Sequence, residues 1–168
     1  MSIDRRVWAV AASLALLSLG VLVRDQLPQA FDRAYAPFVY DETAPKLGTV
    51  EDVRTTVADS LNGASSNADW VVVDFGFTPD ADKELLEGEV HGEDGTIFAS
   101  VNSMLRACGV TYPELRTTCS LVFEMPAEKV SGATLHLGVP GGQMSPEVVV
   151  PLGEPERTGD VVKEEIDL

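Results

Sequence analysis

Two cysteines, two histidines and a run of carboxylates are the side chains of this sequence whose chemistry could be put to use. Cys108 and Cys119 are separated by ten residues that include Gly109 and Pro113. Such a loop can fold back so that the second cysteine leads into a strand and the sulfurs meet in a disulfide. Closing a loop of this size stabilises a fold by roughly 2–3 kcal/mol. Two buried free thiols are the alternative. Zinc fits poorly, because Cys-x10-Cys is not a usual zinc spacing and His91 and His136 are distant in sequence. His91 stands at a hairpin edge beside Gly92, and His136 points outward from a strand; each reads as a solvated surface imidazole rather than a general base. Asp74, Asp80, Asp82 and Glu84 could offer oxygens to calcium, but their spacing departs from an EF-hand and a solubilising cluster is the plainer reading. The sequence holds no G-x-S-x-G elbow, H-E-x-x-H pair, P-loop or G-x-G-x-x-G after a strand. It reads as a non-enzyme, with no catalytic, cofactor-binding or metal-ligating residue assigned and no cofactor expected.

The elements that carry these side chains follow from composition and period. The chain has 168 residues, with 27 acidic against 12 basic side chains and a formal net charge of -15. That charge repels nucleic acid and anionic lipid, so neither is an expected partner. A hydrophobic content of 45% is too high for wholesale disorder. The length suits one domain with an appendage.

The appendage is N-terminal. Val7 to Val23 carries no charge and is bounded by Arg5-Arg6 and Arg24-Asp25. As a helix it reaches about 25 Å, within the range of membrane spans. A cleaved signal peptide is the main competitor, but small residues suited to cleavage do not follow the apolar run closely, and Ala34-Tyr35-Ala36 is followed by Pro37. Residues 7–23 therefore read as one transmembrane helix, 1–6 as a cytoplasmic N-terminus and 24–36 as a stalk. The basic count on either side is nearly balanced. A short segment inside and a large domain outside is the usual arrangement for such an anchor, and it agrees with a disulfide. The expected location is the cell membrane, single-pass, with the C-terminal domain extracytoplasmic.

From Pro37 onward the period becomes that of strands. Val71, Val73, Phe75 and Phe77 share one face, and Cys119, Leu121, Phe123 and Met125 share another; both sets are predicted to point into the core. Trp70 and Val72 lie opposite, as a partner patch or packed on a second sheet or the stalk. Thr134–Val139 and 148–152 give two more strands around the Pro140-Gly141-Gly142-Gln143 turn. Glu84–His91 and Thr96–Val101 flank Gly92-Glu93-Asp94-Gly95, the strongest hairpin signal in the chain. Residues 48–60 supply one or two strands. Seven or eight short strands over 37–153 predict an all-β fold, an antiparallel β-sandwich. Residues 154–168 are acidic with little apolar periodicity and read as a flexible tail.

Leu121-Val122-Phe123-Glu124-Met125-Pro126 with Ala133-Thr134-Leu135-His136-Leu137 resembles a "vFEvP … gatLrL" segment. It belongs to uncharacterised actinobacterial-type extracytoplasmic immunoglobulin-like domains. Ala36-Pro37-Phe38-Val39, Gly48-Thr49-Val50, Trp70-Val71-Val72-Val73 and Glu93-Asp94-Gly95-Thr96 extend the likeness over roughly residues 36–153. The chain departs from it at Glu114, where that family has glycine after proline, and in the Cys108/Cys119 pair. The resemblance implies an immunoglobulin-like sandwich and brings no catalytic residue with it. The expected function is that of a membrane-anchored binding protein, an accessory or stabilising subunit of a membrane or cell-envelope complex such as a transporter. Its partner would be an integral membrane or envelope protein. Ala9-xxx-Ser13 and Ala11-xxx-Ala15 permit close helix contact within the anchor. An extracytoplasmic solute- or calcium-binding module is the alternative, and an envelope hydrolase using His91 or His136 ranks third.

Overall fold

The computed structural model describes residues 36–80, 86–139 and 144–163. The predicted transmembrane segment 7–23, the stalk up to residue 35, Asp82, Glu84, the 140–143 turn and residues 164–168 lie outside them. Among the described residues no helix is long and apolar enough to cross a membrane.

These residues are mostly strand: β1 (Phe38–Asp41), β2 (Thr43–Ala44), β3 (Gly48–Leu61), β4 (Ala64–Pro79), β5 (Glu87–His91), β6 (Ile97–Ala99), β7 (Thr117–Met125), β8 (Thr134–Gly138), β9 (Pro146–Pro151) and β10 (Glu156–Val161). One short helix, α1 (Met104–Cys108), and a 3-10 turn at Ala127–Lys129 complete them. One sheet has the order β1-β9-β8-β5-β6, and the other runs β10-β3-β4-β7 with β2 paired to β3. The all-β class is as expected from the sequence, and residues 48–61 form one long strand.

The period-two alternation places the core as predicted. Val71, Val73, Phe75 and Phe77 of β4 pack with Cys119, Leu121, Phe123 and Met125 of β7. Leu135, Leu137, Val148 and Val150 of the other sheet join them in one buried cluster. The hairpin at residues 92–95 forms between β5 and β6, with Gly92 N–H donating to the Thr96 carbonyl at 2.8 Å. Gly95 takes φ +83, a conformation glycine adopts without strain.

Two expectations about the chain ends are corrected. Pairing is not wholly antiparallel, because β1 runs parallel to β9 and β10 parallel to β3. Both strands join a sheet from a distant part of the chain, so no hairpin turn dictates their direction. The stretch from 154 onward is also not simply a tail. Residues 156–161 are β10, with Arg157 opposite Val57 and Val161 opposite Leu61. Main-chain bonds hold an edge strand whatever its side chains, and those of Glu156, Arg157 and Asp160 stay in solvent. Asn62 secures the end of β10, accepting from Lys163 N–H at 2.8 Å and donating to its carbonyl at 3.0 Å.

β10 changes the environment of the outer face of its sheet. Trp70, Val72 and Val122 are buried there with Ala58 and Leu61, and Val161 packs against them. The register shift between Ala58 and Ser60 loops extra β4 residues out of the pairing. The indole N–H of Trp70 donates to the Ala64 carbonyl at 2.9 Å. Trp70 and Val72 are thus an inner layer of the domain and not an open patch.

Candidate functional site

Exposed apolar side chains gather instead on the segment that leads to the second cysteine. Asn102 begins it. Its buried side-chain amide donates to the Ser120 carbonyl at 2.8 Å and accepts from Val122 N–H at 2.9 Å. With the Val101 N–H to Val122 carbonyl bond at 2.8 Å, this covers the free edge of β7. In α1, Met104, Ala107 and Cys108 turn inward. Cys108 and Cys119 form the expected disulfide, with a Cα–Cα distance of 4.2 Å. Gly109 ends the helix at φ +65.

Beyond the helix the loop is tied across the second sheet. Glu114 N–H donates to the Pro79 carbonyl at 2.8 Å. Glu114 itself has φ +63, the left-handed region that glycine enters freely. Arg116 reaches β3, its Nε donating to Glu51 at 2.5 Å and its Nη2 to Asp52 at 2.8 Å. A shift of register between Glu51 and Arg54 presents these two carboxylates side by side. Gly76 lies beneath the guanidinium, and a Cβ there would meet Arg116 Nη2 at 2.5 Å. A side chain at this position would push the guanidinium off the strand.

The helix and the tied loop after it therefore present Leu105 and Val110 at 68% exposure, Tyr112 at 60% and Leu115 at 57%. Sequence periodicity does not single out this group, because the four follow neither a strand nor a helix repeat. The available signal was large apolar residues in the short irregular stretch that leads into and spans the two cysteines.

A second cluster lies on the outer face of the other sheet. His91 on β5 and His136 on β8 are not isolated surface imidazoles. Their rings stack with centroids 3.6 Å apart and planes 13° from parallel. His91 Nε2 is 3.1 Å from Glu89 Oε2, and His136 Nδ1 is 3.0 Å from Glu147 Oε1. His136 Nε2 is 3.0 Å from the Thr134 hydroxyl. A neutral tautomer satisfies both hydrogen bonds of His136, with Nδ1–H donating to Glu147 and Nε2 accepting from Thr134. Stacked rings direct their nitrogen lone pairs within parallel planes, so they cannot converge on one metal. Among the described residues no group of three His, Cys, Asp or Glu side chains could hold a metal ion.

Burial holds His136 below the ordinary imidazole range of 6.5; Glu147 opposes this shift and the neighbouring His91 adds to it. The unfolded chain then takes up a proton first as pH falls. The stability that neutral His136 contributes is whole above pH 6.5 and is lost as pH drops from there through its folded value. His136→Gln should flatten this limb: urea midpoints measured from about pH 7.5 to 5 should fall less steeply in the variant than in the parent.

The acidic run does not assemble a cation site. Asp74 accepts from Lys163 Nζ at 2.7 Å and pairs with the Ser120 hydroxyl, while Asp80 accepts from Lys46 N–H at 2.8 Å. Asp82 and Glu84 lie outside the described residues. A cavity of about 540 Å³ borders Asp80 and Glu114 between Tyr40, Thr49, Thr78 and Pro79. Its wall is mostly apolar, and one oxygen of its Asp80 carboxylate accepts from the Lys46 backbone N–H.

Compared with known proteins, the chain matches no family model, no curated protein and no solved structure.

Proposed function

We propose that this is a single-pass membrane protein whose extracytoplasmic domain, an immunoglobulin-like β-sandwich, binds another membrane or cell-envelope protein as an accessory or stabilising subunit. The observation that carries this reading is the exposure of Val110, Tyr112 and Leu115 in the disulfide-closed loop and of Leu105 on the helix that leads into it. Apolar side chains in solvent do nothing for the fold, and holding them rigid lowers the entropy a partner must overcome on binding. Tyrosine is among the residues enriched at interface centres. The disulfide supports export to an oxidising compartment, and the uncharged run Val7–Val23 supports the anchor. Two sheets sharing one apolar core support the sandwich.

The test compares full-length protein with a Tyr112→Ser/Leu115→Ser variant, both purified from native membranes in mild detergent. Both side chains are exposed, so the melting midpoint should stay within about 2 °C of the parent. Binding should weaken roughly 100-fold, as expected for two central contacts. Equal recovery of one partner by both proteins would remove the loop from the interface. Recovery of no partner by either would end the subunit reading.

A further inference from the structure

The tight turn between β3 and β4 carries a chemistry that the binding role does not use. Leu61 pairs with Ala64, so Asn62 and Gly63 make the whole connection. Both take positive φ, +51 at Asn62 and +78 at Gly63, as a two-residue hairpin loop of type I′ requires. Both are exposed, and a Cβ placed on Gly63 would meet nothing within 4 Å. In an asparagine followed by glycine, the side-chain amide carbon and the next backbone nitrogen meet with least hindrance, because glycine has no side chain and the widest choice of backbone angles.

The fold holds that amide away from Gly63. Asn62 Oδ1 accepts from Lys163 N–H at 2.8 Å and Nδ2 donates to the Lys163 carbonyl at 3.0 Å, so the side chain extends the pairing of β10 in place of a backbone residue. Asn62 N–H donates to the Val161 carbonyl at 2.9 Å. Lys163 is fixed in turn, its Nζ donating to Asp74 at 2.7 Å and to the Ser120 hydroxyl at 3.1 Å. The chain has two other asparagines, and both differ. Asn67 is exposed but precedes Ala68, and Asn102 is buried, bonded to β7 and followed by Ser103.

We propose that Asn62 is a site of self-modification whose rate is set by the end of β10. Gly63 N attacks Asn62 Cγ, the Cγ–Nδ2 bond breaks, and ammonia leaves carrying, through water, the proton that Gly63 N gives up. Water then opens the resulting cyclic imide to aspartate or isoaspartate. Either product undoes the clamp that held the amide. Aspartate has no N–H to give the Lys163 carbonyl and sets a negative charge against its oxygen, while isoaspartate adds a methylene to the main chain of a loop that fits two residues. The change is one-way, and it loosens β10 beside Val161, which packs on the Trp70 cluster. It stands whether or not the disulfide-closed loop binds a partner.

The test keeps full-length protein in detergent micelles at neutral pH, in buffer and in concentrated urea, and follows each asparagine-bearing peptide by mass spectrometry for conversion of amide to acid. In urea Asn62 should convert well ahead of Asn67 and Asn102. In buffer its conversion should be at least about ten-fold slower than in urea, the factor that one hydrogen bond of ordinary strength puts on the population of the released side chain. Lys163→Pro, which lacks the N–H that reaches Asn62 Oδ1, should convert about ten-fold faster than the parent in buffer. Lys163→Ala keeps that N–H and loses only the ammonium, and should stay within about three-fold of the parent. Asn62→Asp should quicken hydrogen exchange at the Lys163 amide. Equal parent rates in buffer and urea overturn the control by β10, and this comparison needs no variant to fold. An Asn62 that converts no faster than Asn67 in urea overturns the site itself.

Discussion

Trp70→Ala is expected to lower the unfolding free energy by about 3–5 kcal/mol, the range for truncating a buried aromatic residue. Trp70 is 7% exposed, and it shares its cluster with Val72 and Val122, which are fully buried. Truncation opens a void beneath Leu61 and Val161 and leaves the Ala64 carbonyl without its indole donor. Trp70→Phe separates these effects: it keeps most of the apolar contact and loses the hydrogen bond, at a cost of about 1 kcal/mol for the bond itself. Urea unfolding followed by far-UV circular dichroism checks both, since the m-value shows whether the variants unfold the same surface. A Trp70→Ala protein as stable as the parent would mean that the outer face of this sheet is open, and that β10 and the β3–β4 hairpin do not cover it. The same measurement on Tyr112→Ser/Leu115→Ser supplies the contrast of exposed apolar residues whose removal leaves the fold unchanged.

Replacing both Cys108 and Cys119 by alanine should cost about 3 kcal/mol and lower the melting midpoint by roughly 10 °C. The bond closes a loop of 11 residues in sequence separation, so its removal restores conformational freedom chiefly to the unfolded chain. Both cysteines are buried, Cys119 completely, and alanine leaves a small cavity at each. The loop has further ties, from Asn102 to β7, from Glu114 to Pro79 and from Arg116 to Glu51 and Asp52. The folded variant should therefore keep its strands and display the loop less rigidly. Calorimetry of the variant beside the parent, with and without reductant, tests this: reductant should lower the parent toward the variant and leave the variant where it is. A parent indifferent to reductant would show that the bond is absent or inert.

Residues 71–77 and 119–125 were legible because they obey a local rule. One face of each strand is apolar at every second position, and burial of that face is the largest favourable contribution available to the chain. The hairpin at 92–95 was legible for a similar reason, since its turn chemistry lies within four consecutive residues. Cys108 and Cys119 could be paired because few residues separate them. The loop between Val101 and Leu115 was not legible as a site. Its apolar residues lack a period, and what makes them a surface is a set of ties to β3, β4 and β7.

The amino-acid sequence by itself determined the β class, the inward faces of the central strands, the sharp turn at Gly92-Glu93-Asp94-Gly95 and the proximity of the two sulfurs. Each depends on spacing within a short window. The tertiary structure alone decided that His91 meets His136, that Arg116 lies over Gly76, and that the charged stretch Glu156–Val161 becomes an edge strand whose Val161 packs against the Trp70 cluster. Main-chain hydrogen bonds between strands are nearly indifferent to side-chain identity, so which distant strands pair, and in which register, is settled only when the whole core is buried at once.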